Sequence, residues 1–229
     1  MPGFEHIPAN LAAVRERIAA AARRAGRAPE SVRLLAVGKT FPAEAIAAAH
    51  AAGQRLFGEN RVQELREKAP RLPADCEWHL IGQLQANKCR PALQHAAWIH
   101  SVASAELITR LERIAGEEGR RPVILLEINL SGEASKSGAT AAEAPALVAA
   151  ALRSPHLDLR GFMTLAPFAA PEAVLQAVFG GLRELRDRLA AEFATPLPEL
   201  SMGMSGDFEA AIACGATLVR IGTAVFGQR

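Results

Sequence analysis

The chain has 229 residues, is 50% hydrophobic and carries a formal net charge of +2. That length supports one well-buried core and leaves little for a second domain, and so small a charge excludes a broad field suited to nucleic acid or anionic lipid. Cys76, Cys89 and Cys214 are odd in number and far apart, so they do not read as a disulfide framework. Without a C-x-x-C or H-E-x-x-H spacing no zinc site is expected.

Residues 1–10 lack the basic-then-apolar pattern of a secretory signal, and no apolar run is long enough to cross a bilayer. The expectation is a cytoplasmic protein. In chain order, the first segment reads as a helix with Leu11, Val14, Ile18 and Ala22 on one face, Asn10 as its cap and Gly26 as its stop. Short apolar runs then alternate with helical stretches. The runs at 33–38, 55–57, 77–81, 97–102, 122–129, 158–165, 198–202 and 217–221 predict strands. Helical spacing is marked between them by Ile46 and Ala49, by Val62 and Leu65, and by Leu107, Leu111 and Ile114. It continues with Leu147, Val148 and Leu152, with the long series Val174 to Leu189, and with Phe208, Ala211 and Ile212. Segment 84–95 reads as a helix against the Pro91 inside it.

About eight β-then-α units predict parallel strands with crossover helices, in one domain spanning 1–229. The pattern fits a closed eight-stranded barrel or an open doubly wound sheet, and in both the ligand lies at the C-terminal strand ends. The chain has neither G-x-G-x-x-G nor G-x-x-x-x-G-K-[ST], so the dinucleotide and P-loop fingerprints are absent.

One lysine stands out. Lys39 closes the apolar run Leu34-Leu35-Ala36-Val37-Gly38-Lys39. A desolvated ammonium tends to lose its proton, and a neutral amine can form a Schiff base with a carbonyl compound. After strands seven and eight come Ser201-Met202-Gly203-Met204-Ser205-Gly206-Asp207 and Val219-Arg220-Ile221-Gly222-Thr223. Their glycines, hydroxyls and guanidinium suit a phosphate cup, which barrels often carry at this place. Asn60 follows strand two as a possible ligand for an oxygen or as a helix cap. His79 reads better as a satisfied core histidine than as a catalytic one, and Met163 as core or as a soft wall for a flat ring. The polar loop 129–138 suggests a cover over the mouth, with Lys136 drawing an anion. An aldehyde that also bears a phosphate would use both lysine and cup. Pyridoxal 5′-phosphate and the substrate of a sugar-phosphate aldolase both qualify, and spacing does not choose between them.

The stretches Ala36-Val37-Gly38-Lys39-Thr40, Phe57-Gly58-Glu59-Asn60, Trp78-His79-Leu80-Ile81-Gly82, Ser131 to Gly138 and Leu200 to Gly227 together resemble the pyridoxal phosphate homeostasis protein family. The resemblance runs from the first helix to the C-terminus. It departs from the family at Gly38, Arg61 and Ala103, where Ser, an aromatic residue and Asp are frequent. It implies a (β/α)8 TIM barrel like the N-terminal domain of alanine racemase, with an extra N-terminal helix. It implies pyridoxal 5′-phosphate held as a Schiff base on Lys39, its phosphate held by Ser205, Arg220, Gly222 and Thr223. Ser201, Asn60, His79 and Met163 would lie around its ring.

Racemases of this fold take a second base from a tyrosine of a further domain. This chain has no Tyr. The expectation is therefore storage, buffering or delivery of the cofactor to PLP-dependent apo-enzymes, by a monomer without catalytic residues or robust turnover. The alternative is a Schiff-base enzyme, either a fold-type III amino-acid racemase or a sugar-phosphate aldolase.

Overall fold

A computed structural model describes residues 3–131 and 137–228. Eight strands follow one another in order around a closed barrel: β1 (Arg33–Val37), β2 (Leu56–Glu59), β3 (Glu77–Leu80), β4 (Trp98–Val102), β5 (Val123–Glu127), β6 (Asp158–Met163), β7 (Glu199–Ser201) and β8 (Leu218–Ile221). All pairs are parallel. Closure is made by β1 on β8, with Arg33 opposite Leu218 and Ala36 opposite Ile221. That pairing decides between the two architectures the alternation left open, and eliminates sheet edges.

The helices are α1 (Ile7–Arg24), α2 (Ala43–Ala51), α3 (Val62–Lys68), α4 (Cys89–Leu93), α5 (Ala105–Glu117), α6 (Ala144–Leu152), α7 (Glu172–Glu192), α8 (Phe208–Ala213) and α9 (Thr223–Phe226). In α1 the buried face is Ile7, Leu11, Val14, Ile18, Ala21 and Ala22. The helix begins earlier than its sequence suggests. Pro8 sits in the first turn, where its missing N–H has no partner to lose. Asn10 is consequently inside the helix, and its Nδ2 donates to the Val225 carbonyl at 3.0 Å, tying α1 to α9. Gly26, at φ +66°, ends α1 as expected. Segment 84–95 forms a short 3-10 turn, Ala86–Lys88, and only then the five-residue α4, with Pro91 in its first turn. The ring is tolerated because the helix starts just before it.

Two apolar cores result. The large one fills the layer between strands and helices, with Phe57, Leu65, Ile99, Leu111, Phe162, Leu182 and Phe208 among its buried residues. The small one, Trp98, Leu125 and Met163, lies inside the barrel. Between β5 and β6 the register slips after Ile124. Gly161 sits at this slip with φ +150°, and a Cβ there would stand 1.9 Å from the Glu199 carbonyl oxygen. Gly161→Ala is therefore expected to destabilise the barrel by about 3 kcal/mol, through backbone strain plus overlap with β7. A urea midpoint within error of wild type would contradict this.

Candidate functional site

The C-terminal ends of the eight strands form the barrel mouth. β1 stops at Val37, so Lys39 lies two residues past the strand and is half-buried, not desolvated within it. Its ammonium has no protein partner among the described residues. The β8 loop abuts the end of β1: a Cβ on Gly222 would meet the Val37 carbonyl oxygen at 3.2 Å. Ser205 is half-buried and Thr223 exposed, and neither hydroxyl is used within the protein among the described residues. Gly206 is open, with nothing near the position of a Cβ. Asn60, half-buried after β2, is also unengaged through its side chain. These six positions rim the mouth with idle donors, one amine and two small-residue loops.

Beneath them lies a buried polar chain. Arg220 is 4% exposed. Its Nη1 donates to Ser201 Oγ at 2.7 Å and its Nη2 to the Thr164 carbonyl at 2.9 Å. Burial pulls its pKa down to about 10, while Asp207 and Glu127 support its charge. It therefore stays cationic at neutral pH. Ser201 Oγ meets His100 Nδ1 at 3.0 Å, His100 Nε2 meets His79 Nδ1 at 2.9 Å, and His79 Nε2 meets Glu77 Oε1 at 2.9 Å. His79, His100 and Ser201 have no exposed surface. Met163 is paired with Ser201 in register and packs against Trp98 and Leu125. Trp98 stacks on His79, ring centroids 4.9 Å apart.

The direction of this chain is fixed by its ends. Arg220 can only donate. The His79 hydrogen bond holds the Glu77 carboxyl below its usual range, so at neutral pH it only accepts. Burial lowers the pKa of both histidines, His100 strongly, so each is neutral and has one N–H. The sole consistent assignment runs from Arg220 to Ser201, then His100, His79 and Glu77. Both imidazoles carry their proton on Nε2.

Two further carboxylates face this cation. Glu127 is buried, accepts from Ser137 Oγ at 2.5 Å, and is raised in pKa by burial. Asp207 accepts from the Met204 N–H at 2.5 Å and is likewise raised by burial. Lys136 lies outside the described residues. Sequence spacing missed His100, Glu127 and Thr164. The visible signal was alternation: His100 occupies β4 between Ile99 and Ser101, as His79 does in β3 between Trp78 and Leu80. Away from the mouth, His50, Asp75 and Cys76 cluster, with Asp75 engaged by His50 at 2.7 Å and by Arg55 at 2.8 Å.

A lysine at the mouth of a parallel barrel, beside two loops suited to an anion, defines a class of ligand-holding α/β barrels. The alanine racemase N-terminal domain profile matches residues 9–229. A pyridoxal phosphate homeostasis protein of Pseudomonas aeruginosa is 47% identical over 225 residues, covering 97% of this chain and 96% of its own. PipY of Synechococcus elongatus, solved with PLP bound, shares 43% identity and superposes with a TM-score of 0.87, covering 96% of this chain and all of its own. An alanine racemase of Clostridium difficile superposes with a TM-score of 0.72 at 16% identity, the match covering 94% of this chain and 56% of the racemase. This likeness is one of fold. The chain belongs to the alanine racemase N-terminal domain family and, within it, to the pyridoxal phosphate homeostasis proteins.

Proposed function

We propose that this protein binds pyridoxal 5′-phosphate through Lys39 and acts as a cytoplasmic monomer that stores, buffers or delivers the cofactor to apo-enzymes. The observation that carries the reading is the amine of Lys39, without a partner among the described residues, two residues past the β1 end that the Gly222 loop abuts, in a chain 43% identical to a relative solved with PLP. The residues fit the group. Lys39 supplies the amine, Ser205, Gly222 and Thr223 line a cup for the phosphate, and Arg220 adds positive charge beneath it. When bound, the cofactor supplies an aldehyde that condenses with an amine. Asn60 and Met163 would border the ring, Met163 as part of the apolar floor. Ser201 and His79 would act from below by orienting Arg220, since neither has exposed surface.

The chain's own groups suit holding better than turnover. It has no Tyr, and its buried histidines are occupied in the chain from Arg220 to Glu77. The test is the visible absorption of protein incubated with pyridoxal 5′-phosphate, followed by borohydride reduction and peptide mass mapping. A phosphopyridoxyl mass on Lys39 is expected. A mass on Lys68 or Lys88 alone, or none, would overturn the assignment. Comparing the activation of a recipient apo-enzyme by the loaded protein and by free cofactor then separates delivery from storage.

A further inference from the structure

Lys39 is held from both sides by one charge cluster, buried at Lys68 and Glu59 and half-buried at Glu64. Lys68, at the end of α3, is 6% exposed. Its Nζ donates to the Gly38 carbonyl at 3.0 Å, to Glu59 Oε1 at 2.8 Å and to Glu64 Oε2 at 2.9 Å. Glu64 Oε2 in turn accepts from the Thr40 N–H at 2.7 Å. The two peptide groups flanking Lys39 are thus tied to the same three side chains. The tie holds strain: Thr40, a β-branched residue, sits at φ +68°, a conformation such residues avoid. Phe41 anchors the far end of the turn against Phe226, ring centroids 5.2 Å apart.

One atom of the cluster is unsatisfied. Glu59 is fully buried, and its Oε2 has no hydrogen-bond partner. Burial pushes its pKa up to about 7 against the opposing pull of Lys68. The charged groups acting on it are Lys68 and Glu64, both from α3. Against Glu59 lie Gly38, just past β1, and α2's Ile46, whose Cδ1 would be 2.3 Å from a Cβ on Gly38. Burial opposes the charge of Glu64, but hydrogen bonds from Lys68 and Thr40 keep its pKa below the usual value. At neutral pH Glu64 is ionised and Glu59 is close to its midpoint.

We propose that Lys68, braced by Glu59 and Glu64, is a latch that positions Lys39 for its ligand, and that protonation of Glu59 loosens it. The proposal rests on the Schiff-base reading of Lys39. With Glu59 ionised, the Lys68 bond to it is charge-assisted. With Glu59 protonated, that bond weakens and a buried O–H lacks an acceptor. The strained Thr40 turn then relaxes, and Lys39 moves with it. Lys68, Glu59 and Glu64 are positioning residues.

The test compares wild type with Glu59→Gln, which keeps the volume but does not titrate, and with Lys68→Met. Affinity for pyridoxal 5′-phosphate is read by absorbance from pH 6 to 8. The wild-type to E59Q ratio is expected to rise about fivefold, with a midpoint near 7. K68M is expected to lie at the weak plateau throughout. In the free protein, competitive acetylation of Lys39, quantified by mass spectrometry, is expected to show the same midpoint in wild type and none in E59Q. A flat wild-type to E59Q labelling ratio, or a K68M profile matching wild type, overturns the latch. Because labelling needs no cofactor, a failure of the Schiff-base reading is read separately. If K68M does not fold, E59Q decides.

Discussion

Replacing Lys39 with alanine is expected to remove the reducible cofactor adduct entirely while leaving the barrel's stability within about 0.5 kcal/mol of wild type. The two expectations come from the same observation. Lys39 is half-buried, lies beyond β1, and uses its ammonium for no contact among the described residues. Its removal orphans nothing. The chain has three other lysines, and Lys68 already donates all three Nζ protons to protein acceptors, so as held it has no lone pair with which to attack an aldehyde. The variant should therefore lose the visible band and the borohydride-stable mass together. Residual, dialysable binding through the Ser205 and Thr223 loops would remain. A stable adduct persisting in the variant would reassign the tether.

Arg220→Leu is expected to act in the opposite way, costing about 3–5 kcal/mol, because it removes a buried cation on which several groups depend. Ser201 Oγ and the Thr164 carbonyl lose their donors. Glu127 and Asp207, already raised in pKa by burial, lose the charge that lowers them. The urea midpoint reports the loss. Arg220→Lys keeps the charge but not the planar fork that serves both acceptors, so it should recover only part of the stability. Cofactor affinity should fall in both variants if the guanidinium supports the phosphate as proposed. Full stability in Arg220→Leu would mean that the chain down to Glu77 is not what secures the barrel interior.

The sequence made the order of elements legible because apolar periodicity is local. A run such as Val123–Glu127 or a face such as Val174 to Leu189 announces itself within a dozen residues. Closure was not legible, because Arg33 and Leu218 pair across nearly the whole chain. The mouth was read from its chemistry: Lys39, Ser205 and Gly222 are conspicuous residue types after strands. The floor was not. His79 was visible by itself, but its partners are His100 and, one step on, Ser201, 101 residues beyond His100. Only the parity of strands inside a closed barrel brings them together. Lys68 was hidden for another reason. An i,i+4 partner of Glu64 near a helix end looks like an ordinary surface ion pair, and its burial depends on Glu59 from a neighbouring strand.

The packed floor has a kinetic consequence. Trp98, Leu125 and Met163, with the histidines above Glu77, plug the barrel axis. Among the described residues, cargo therefore has one doorway, and arrival and departure share it. A recipient that takes cargo directly must cover the same rim through which the next molecule would enter. Hand-over and reloading then alternate in strict turns, and the exchange rate should saturate at a value set by how quickly the rim is vacated.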